Sequence, residues 1–381
     1  MRILIIHNKY STQGGEESVV AMQQELFSKA GDTVFTYFRD YNEMKRWKLG
    51  KVGSFFTSLA NFAAYADVKK IIEREKIEVV FVHNLFPIIS PLVLLAVKRA
   101  GVKSIMFLHN YRLLCPTGLF LNGGKVCEKC AKGVREFNCI KYRCEGSFLG
   151  SVAYALRSFS ARIFGLYRKN IDVFAPTTDF QRQKLVQYGF NNKKLKVIPN
   201  FTSFMPLDRG YRRDGSVLYV GRLSYEKGFD LVFNVARLLP EVKFLMAGRY
   251  NEKEIATYDI PQNVELLGGL NREQLIERYQ TSSLLLFPTR CYESFPLTLL
   301  EAGVNYLPVV GSNIGATQSI IKNGDNGLLF EVGNCEDMAQ KLKMVLTDSD
   351  LAQKLAKSNF NRCNYGFSGG YSEIVGILEV H

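Results

Sequence analysis

The feature that most constrains this chain is a pattern that occurs twice. Short, continuously apolar runs alternate with longer segments of helical periodicity. In the first half the runs are RILIIH (Arg2–His7), TVFTYF (Thr33–Phe38), VVFVH (Val79–His83), SIMFLH (Ser104–His109), DVFAP (Asp172–Pro176) and LKVIP (Leu195–Pro199), with helical segments such as Glu16–Ala30 and Ala66–Glu75 between them. A strand apolar at every position has both faces covered, which points to parallel strands joined by helical crossovers. A polar stretch, NFTSFMPLDRGYRRDGS (Asn200–Ser216), interrupts the pattern. It restarts with VLYVG (Val217–Gly221), VKFLMAG (Val242–Gly248), VELLG (Val264–Gly268), SLLLFP (Ser283–Pro288), PVVGS (Pro308–Ser312) and GLLF (Gly327–Phe330). The fold class is therefore α/β. Two Rossmann-like domains are expected over residues 1–200 and 201–360, with a last helix at about 360–381 packing back on the first. The ligand of such a pair is expected at the carboxyl ends of the strands, in a crevice between the domains.

The chain has 381 residues, 47% of them hydrophobic, enough for two cores. The apolar run in MRILIIHNKY is about four residues, too short for the core of a signal peptide. The longest apolar run, Pro87–Val97, contains two prolines and is shorter than the roughly 18 residues that span a bilayer. A cytoplasmic protein, peripheral at most on the inner face of the membrane, is expected. The net charge of +13 is uneven: residues 1–200 carry 31 Lys and Arg against 15 Asp and Glu, and residues 201–381 carry 18 against 21. The basic half suits an anionic partner such as nucleic acid, an anionic membrane or a phosphorylated substrate, and a merely soluble basic surface is the bland alternative.

Four pieces of the second half make chemical sense together. YVGRLSYEKGFD (Tyr219–Asp230) sets Gly221 at a strand end and Arg222 and Lys227 ahead of a helix at Asp230–Leu239; backbone approach and two cations suit a diphosphate. RCYESFPLTLLEAG (Arg290–Gly303) spaces Glu293 and Glu301 eight residues apart, just over two helical turns, so that on one helix both carboxylates would lie near one face. PVVGSNIGATQSII (Pro308–Ile321) is a strand, a Gly/Ser loop and a helix, and NGDNGLLF (Asn323–Phe330) is a turn and a strand.

In order and spacing these pieces, together with AGR (Ala247–Arg249), make the chain resemble the retaining, nucleotide-sugar-dependent glycosyltransferases of family 4, which have the GT-B fold. The resemblance covers essentially the whole chain and is most specific over Tyr219–Phe330. It implies that Arg222 and Lys227 clamp the donor diphosphate, that Glu301 holds the ribose hydroxyls, and that Glu293 faces the donor sugar and the charge developing at its anomeric carbon. Ser294 and Pro296 stand where that family often has glycine, and Gln318 where it often has glutamate.

In the first half, YSTQGGEESV (Tyr10–Val19) follows the first strand with Gly14 and Gly15 and opens a helix whose first turn holds Glu16 and Glu17. Its backbone N–H groups can face an anion. The resemblance puts such a loop against the donor phosphates and the acceptor. It is not GxGxxG, so a dinucleotide cofactor is not expected. The resemblance also sets a residue of the HNY segment beside the transferred sugar, which makes His109 a catalytic candidate. His83 and Asn84 are acceptor-side candidates, and His7 a packing residue.

Five of the eight cysteines fall in one insert over residues 115–144. Cys127-x2-Cys130 has the spacing that grips one tetrahedral ion, and Cys139 and Cys144 complete a four-thiolate set, with Cys115 as substitute. Structural zinc is expected, a clip rather than a catalyst, with an iron–sulfur cluster, free thiols or a disulfide as alternatives. No metal is expected in the transfer step. The function these features point to is sugar transfer from a UDP or GDP sugar to a hydroxyl acceptor, a glycan or lipid-linked molecule of bacterial surface polysaccharide or glycolipid synthesis. The alternatives are another GT-B enzyme such as a sugar-nucleotide epimerase, a zinc-knuckle nucleic-acid binder, or a catalytically silent sugar-nucleotide sensor; no nucleic-acid partner is expected.

Overall fold

The computed structural model describes residues 1–10, 14–46, 50–132, 135–202, 204, 214–363 and 367–379. Most of the expected interdomain stretch lies outside them, as do Ser11–Gln13 of the glycine loop. The chain forms two compact units, Met1–Phe120 with Cys127–Asn200 and Phe367–His381, and Leu121–Val126 with Phe201–Gly366.

The first unit is built on β1 (Arg2–Lys9), β2 (Thr33–Asp40), β3 (Val79–Val82) and β4 (Lys103–Leu108). A two-stranded hairpin follows, β5 (Leu121–Asn122) and β6 (Lys125–Val126), and then β7 (Val173–Pro176). The sheet order is β2-β1-β3-β4-β7, all parallel, with Ile3 opposite both Val34 and Val79. Ile3 to Ile6 and Val80 to Val82 are fully buried, as continuous apolar runs covered on both faces must be. LKVIP is not a strand. Lys196 and Ile198 donate to the Phe174 and Pro176 carbonyls, but the pairing reduces to one bridge at Leu195, and Pro199, lacking an N–H, ends it. The helix expected from Ala66 starts earlier, at Phe62, because the Asn61 side chain accepts from the Ala64 N–H and caps it. The last helix, Phe367–Glu379, belongs to this unit: the Tyr371 ring lies 5.2 Å from that of Phe27, and Lys103 Nζ donates to the Leu378 carbonyl at 2.9 Å.

The second unit contains β8 (Val217–Val220), β9 (Phe244–Ala247), β10 (Val264–Gly268), β11 (Leu284–Phe287), β12 (Val309–Ser312) and β13 (Leu328–Phe330). They form one parallel sheet in the order β10-β9-β8-β11-β12-β13. The hairpin β5–β6, expected to belong wholly to the first domain's insert, groups here, with Gly124 beside the Tyr225 hydroxyl.

Strand order locates the functional ends. In each sheet the chain reverses its direction of winding at one point, between β1 and β3 in the first and between β8 and β11 in the second, and ligands of open α/β sheets bind at the carboxyl edge there. At the second such point a Cβ on Gly248 would lie 1.7 Å from the Gly221 carbonyl oxygen, and one on Gly228 (φ +72°) would lie 2.0 Å from that of Pro288. Only glycine lets these loops close on each other.

Candidate active site

At the carboxyl ends of β8 and β11, Lys227 donates from Nζ to Glu293 Oε1 at 2.6 Å. Burial alone would lower the Lys227 ammonium, but the Glu293 carboxylate outweighs it and the shift is upward. Thr289 Oγ1 donates to the same carboxylate oxygen at 3.2 Å, and the Cys291 thiol lies 3.8 Å from it. Arg222, two-thirds exposed, donates to Glu226 Oε1 at 3.1 Å. The loops carrying these groups are pinned from behind: Arg290 makes two bonds to the Asp230 carboxylate, at 2.5 and 2.6 Å, and a third to the Tyr225 carbonyl. Asp230 stands in the first turn of the helix Phe229–Leu238, so the buried bidentate pair fixes the helix start against the β11 loop. Sequence reasoning gave Arg290 and Asp230 no role, although both lie inside the motifs it quoted.

Glu293 and Glu301 do not share a helix. Pro296 caps a short helix over Leu297–Val304, so Glu293 sits in the preceding loop and Glu301 on the second turn. The eight-residue spacing therefore crosses a helix boundary, and the expectation of one carboxylate face fails there. Glu301 accepts from the Tyr279 hydroxyl at 2.8 Å. Burial pushes its carboxyl up to about 7, only partly opposed by Tyr279 and Arg272. Between the two glutamates, the buried Thr298 hydroxyl has no partner among the described residues. Gln318 is turned to Asn313, bonding its side-chain oxygen at 2.8 Å.

In the first unit, three histidines meet at the reversal between β1 and β3. His7 lies in β1, while His83 and His109 stand one residue beyond β3 and β4. His83 Nδ1 and His109 Nε2 are 2.7 Å apart with the rings stacked, and His7 meets His83 edge-on. Burial lowers all three, aided for His83 by His109 and for both His83 and His109 by His7. His7 falls to about 4 and His109 to about 3. The cluster is neutral at pH 7, and the close contact shares a single proton between two ring nitrogens.

Asn84 is fully engaged by structure. Its amide donates to the Asn8 and Phe86 carbonyls and accepts from Phe86 N–H and Arg112, so it positions the loop after β3 while lining the same cavity as His83 and His109. At the glycine loop the Gly14 N–H donates to Glu17 Oε2 at 3.0 Å, while Glu17 Oε1 accepts from the Tyr10 N–H at 2.9 Å. Glu17 thus caps the two described N–H groups that flank the loop, and Gly15 begins the helix Gly15–Lys29. Tyr10, Glu16 and Arg112, which the sequence did not single out, line up beside the histidines. Arg112 donates to the Tyr10 hydroxyl at 2.8 Å, and that hydroxyl donates to Glu16 at 3.1 Å.

Three of the insert cysteines gather around Ala155, where Cys130 and Cys139 are buried and Cys144 packs against them. None of the five insert cysteines is in a disulfide. Burial raises the Cys130 thiol to about 12, with the Cys115, Cys144 and Cys127 thiols adding to the rise. Cys139, hydrogen-bonded to the Cys144 thiol, is also raised. Among the described residues, no three His, Cys, Asp or Glu side chains already form a cage for an ion. Arg157, itself buried, anchors the neighbouring loop through the Pro116 carbonyl at 3.1 Å.

The profile of glycosyl transferases group 1 matches residues 211–362, and that of glycosyltransferase family 4 matches residues 14–203. An uncharacterized 42.6 kDa protein of the cps region of Klebsiella pneumoniae is 24% identical over 335 residues, covering 79% of this chain and 82% of its own length. The phosphatidyl-myo-inositol mannosyltransferase of Mycolicibacterium smegmatis is 29% identical over 184 residues, covering 46% of this chain and 47% of that protein. Seven curated relatives, that enzyme among them, are matched over only 30% to 50% of their length. Among solved structures, Anabaena Alr3699/HepE in complex with UDP and glucose superposes with a TM-score of 0.71 at 15% identity over the whole of both chains. Sucrose-phosphate synthase from Thermosynechococcus elongatus does so at 0.73 and 16%, over 99% and 98%. Parallel sheets in two units, that shared GT-B-like fold, and the two profiles spanning both units show that this chain belongs to glycosyltransferase family 4 and is a glycosyltransferase.

Proposed function

We propose that the protein moves a sugar from a UDP or GDP sugar to a hydroxyl acceptor, with retention at the anomeric carbon. The observation that carries this reading is the Lys227–Glu293 ion pair beside Arg222 at the β8–β11 reversal. A diphosphate offers the Lys227 ammonium more negative charge than one carboxylate does. As Lys227 turns to it, Glu293 is released toward the donor sugar. Lys227 and Arg222 then stabilise the departing diphosphate, so the rate comes from positioning and electrostatics, with no metal in the step. Complexes of HepE with UDP and with UDP-glucose favour UDP as the nucleotide.

The test is calorimetry and thermal shift with UDP, GDP and ADP on wild type and Arg222→Ala. One diphosphate stabilises the wild type and loses at least 10-fold in affinity in the variant, as expected for one charge-assisted contact of about 1.5–3 kcal/mol. Absence of binding by all three would end this reading.

The acceptor is a lipid-linked or surface glycan, a reading supported by the cps-region relative. The first unit exposes Phe56, Phe62, Phe148, Leu149, Ile163 and Phe164 on or beside three helices, within the basic half of the chain. Such a surface suits an anionic membrane, although no helix among the described residues is long and apolar enough to cross one. Flotation with anionic but not neutral vesicles is the expected result, and failure to float with either removes the membrane. The gathered thiols are proposed to close on structural zinc, four of the five turning inward as they ionise. Metal analysis of chelator-free protein then finds about one zinc per chain, and none in Cys130→Ser; metal-free, fully reactive thiols in the wild type would dismiss the clip.

A further inference from the structure

We propose that Glu16, His83 and Arg112 form a subsite in the first unit that receives a single hydroxyl or hydroxymethyl group of a sugar substrate. This deepens the transferase reading and rests on it.

Two polar atoms there, Arg112 Nε and His83 Nε2, lack the partners that burial demands, and the Glu16 carboxylate beside them has acceptor capacity to spare. Arg112 uses its Nη1 on Tyr10 and Asn84, but its Nε is buried with no partner among the described residues. His83, 1% exposed, commits Nδ1 to His109 and leaves Nε2 equally unpartnered. Glu16 receives only the Tyr10 hydroxyl on Oε2, and its Oε1 lies 3.9 Å from the His7 ring among the described residues. Its neighbour Glu17, one residue on, is fully used in closing the glycine loop, so the two glutamates have separate tasks. Leaving a buried polar atom unpartnered costs about 1–3 kcal/mol, and a ligand that completes the Arg112 and His83 nitrogens recovers that cost.

The space fixes the size of the guest. Glu16, His83 and Arg112 line one cavity of about 30 Å³, together with His109 and Tyr167. A water-sized group needs roughly 10–15 Å³, so the cavity takes about two or three such groups, enough for a hydroxymethyl arm and too small for a sugar ring. The chemistry fixes its kind. Arg112 Nε–H donates, Glu16 accepts, and His83 Nε2 does one or the other according to the tautomer set at its contact with His109, a set that matches a hydroxyl, which both accepts and donates. A carboxylate or phosphate would satisfy the donors and oppose Glu16.

Burial raises the Glu16 carboxyl to about 7, with Arg112 and Tyr10 lowering it and Glu17 raising it. The groups facing it are His7 and Tyr10 at the end of β1, Glu17 on its own helix, His83 beyond β3 and Arg112 beyond β4. Neither His7 nor His83 is charged near pH 7. Glu16 is then the group that titrates between pH 6 and 8, and hydroxyl binding tightens as it ionises.

The hydroxyl belongs either to the donor sugar or to the acceptor, and two arms separate them. Wild type and Glu16→Gln are titrated with UDP, UDP-glucose and UDP-xylose, which lacks the hydroxymethyl arm, and by saturation-transfer NMR with p-nitrophenyl glycosides, at pH 6 and 8. For a donor hydroxyl, wild type prefers UDP-glucose to UDP-xylose about 10-fold and the variant does not. For an acceptor hydroxyl, glycoside binding weakens about 10-fold in the variant while both UDP sugars bind as before. In the donor arm the preference for UDP-glucose over UDP-xylose, and in the acceptor arm the glycoside affinity, rises from pH 6 to 8 in wild type and stays flat in the variant, while the pH response of UDP itself, set by Glu301, is the same in both. A variant equal to wild type in both arms at both pH values overturns the subsite while UDP still binds. If UDP fails to bind the wild type, the transferase reading with a UDP donor fails, and the glycoside arm alone decides the subsite.

Discussion

Lys227→Ala lowers turnover by about 10²–10³, the usual cost of removing one preorganised group that stabilises a leaving group's charge. It also destabilises the second unit. Lys227 holds the Glu293 carboxylate at 2.6 Å, and breaking a largely buried pair from one side leaves a charge without compensation, worth about 3 kcal/mol. These two effects would be confounded in a single variant. They separate in Lys227→Met/Glu293→Gln, in which neither residue is charged and the volumes are nearly kept. The double variant regains the thermal stability of the wild type within about 1 kcal/mol, yet remains as inactive as Lys227→Ala. Recovery of activity together with stability would mean that the pair serves the fold and that the diphosphate is held elsewhere. The measurement is nucleotide release from the donor beside a melting curve, on all three proteins.

The doubled alternation of buried strands and helices was legible because parallel strands covered on both faces leave continuous apolar runs such as RILIIH and VVFVH. The ends of those strands were legible too, so His83, His109, Gly221 and Arg222 could be referred to the carboxyl edges where ligands of such sheets bind. Three things were not. LKVIP has a strand's composition, but ladder formation depends on a partner's register and not on its own residues. Whether Glu293 and Glu301 lay on one helix depended on where that helix starts, and Pro296 sets the start three residues past Glu293. The Tyr10–Glu16–Arg112 chain joins residues about a hundred positions apart, and no local pattern announces it. Nor could the sequence tell that Asn84 and Glu17 are occupied, because satisfaction of a polar group is a property of the folded neighbourhood.

Glu301→Gln is expected to make the protein more stable at alkaline pH and worse at holding its donor. The wild-type carboxyl is raised from 4.5 to about 7 by burial, so the folded state binds the proton more tightly than the unfolded chain does. Stability from this group is therefore complete below pH 4.5, is lost as pH rises through about 7, and stays lost above. Glutamine cannot ionise and still accepts from Tyr279, whose hydroxyl bonds Glu301 at 2.8 Å. The variant and wild type should melt together near pH 5, and at pH 8.5 the variant should melt roughly 4–8 °C higher, since a shift of this size corresponds to about 3 kcal/mol at most. Binding moves the opposite way. In the proposed donor geometry the Glu301 carboxylate accepts the ribose hydroxyls, and a charged acceptor is worth about 1.5–3 kcal/mol, so UDP affinity drops roughly 10- to 100-fold in the variant. Wild-type affinity should also rise between pH 6 and 8 as Glu301 ionises, whereas the variant's should not respond. A variant that gains alkaline stability but binds UDP normally would assign Glu301 to the core alone. One that loses both stability and binding would show that the carboxylate is ionised and satisfied in the folded chain, contrary to the burial that raises it here. The opposite signs expected for stability and affinity mark a group whose burial costs the fold and serves the ligand, as the unpartnered Arg112 and His83 nitrogens do in the first unit.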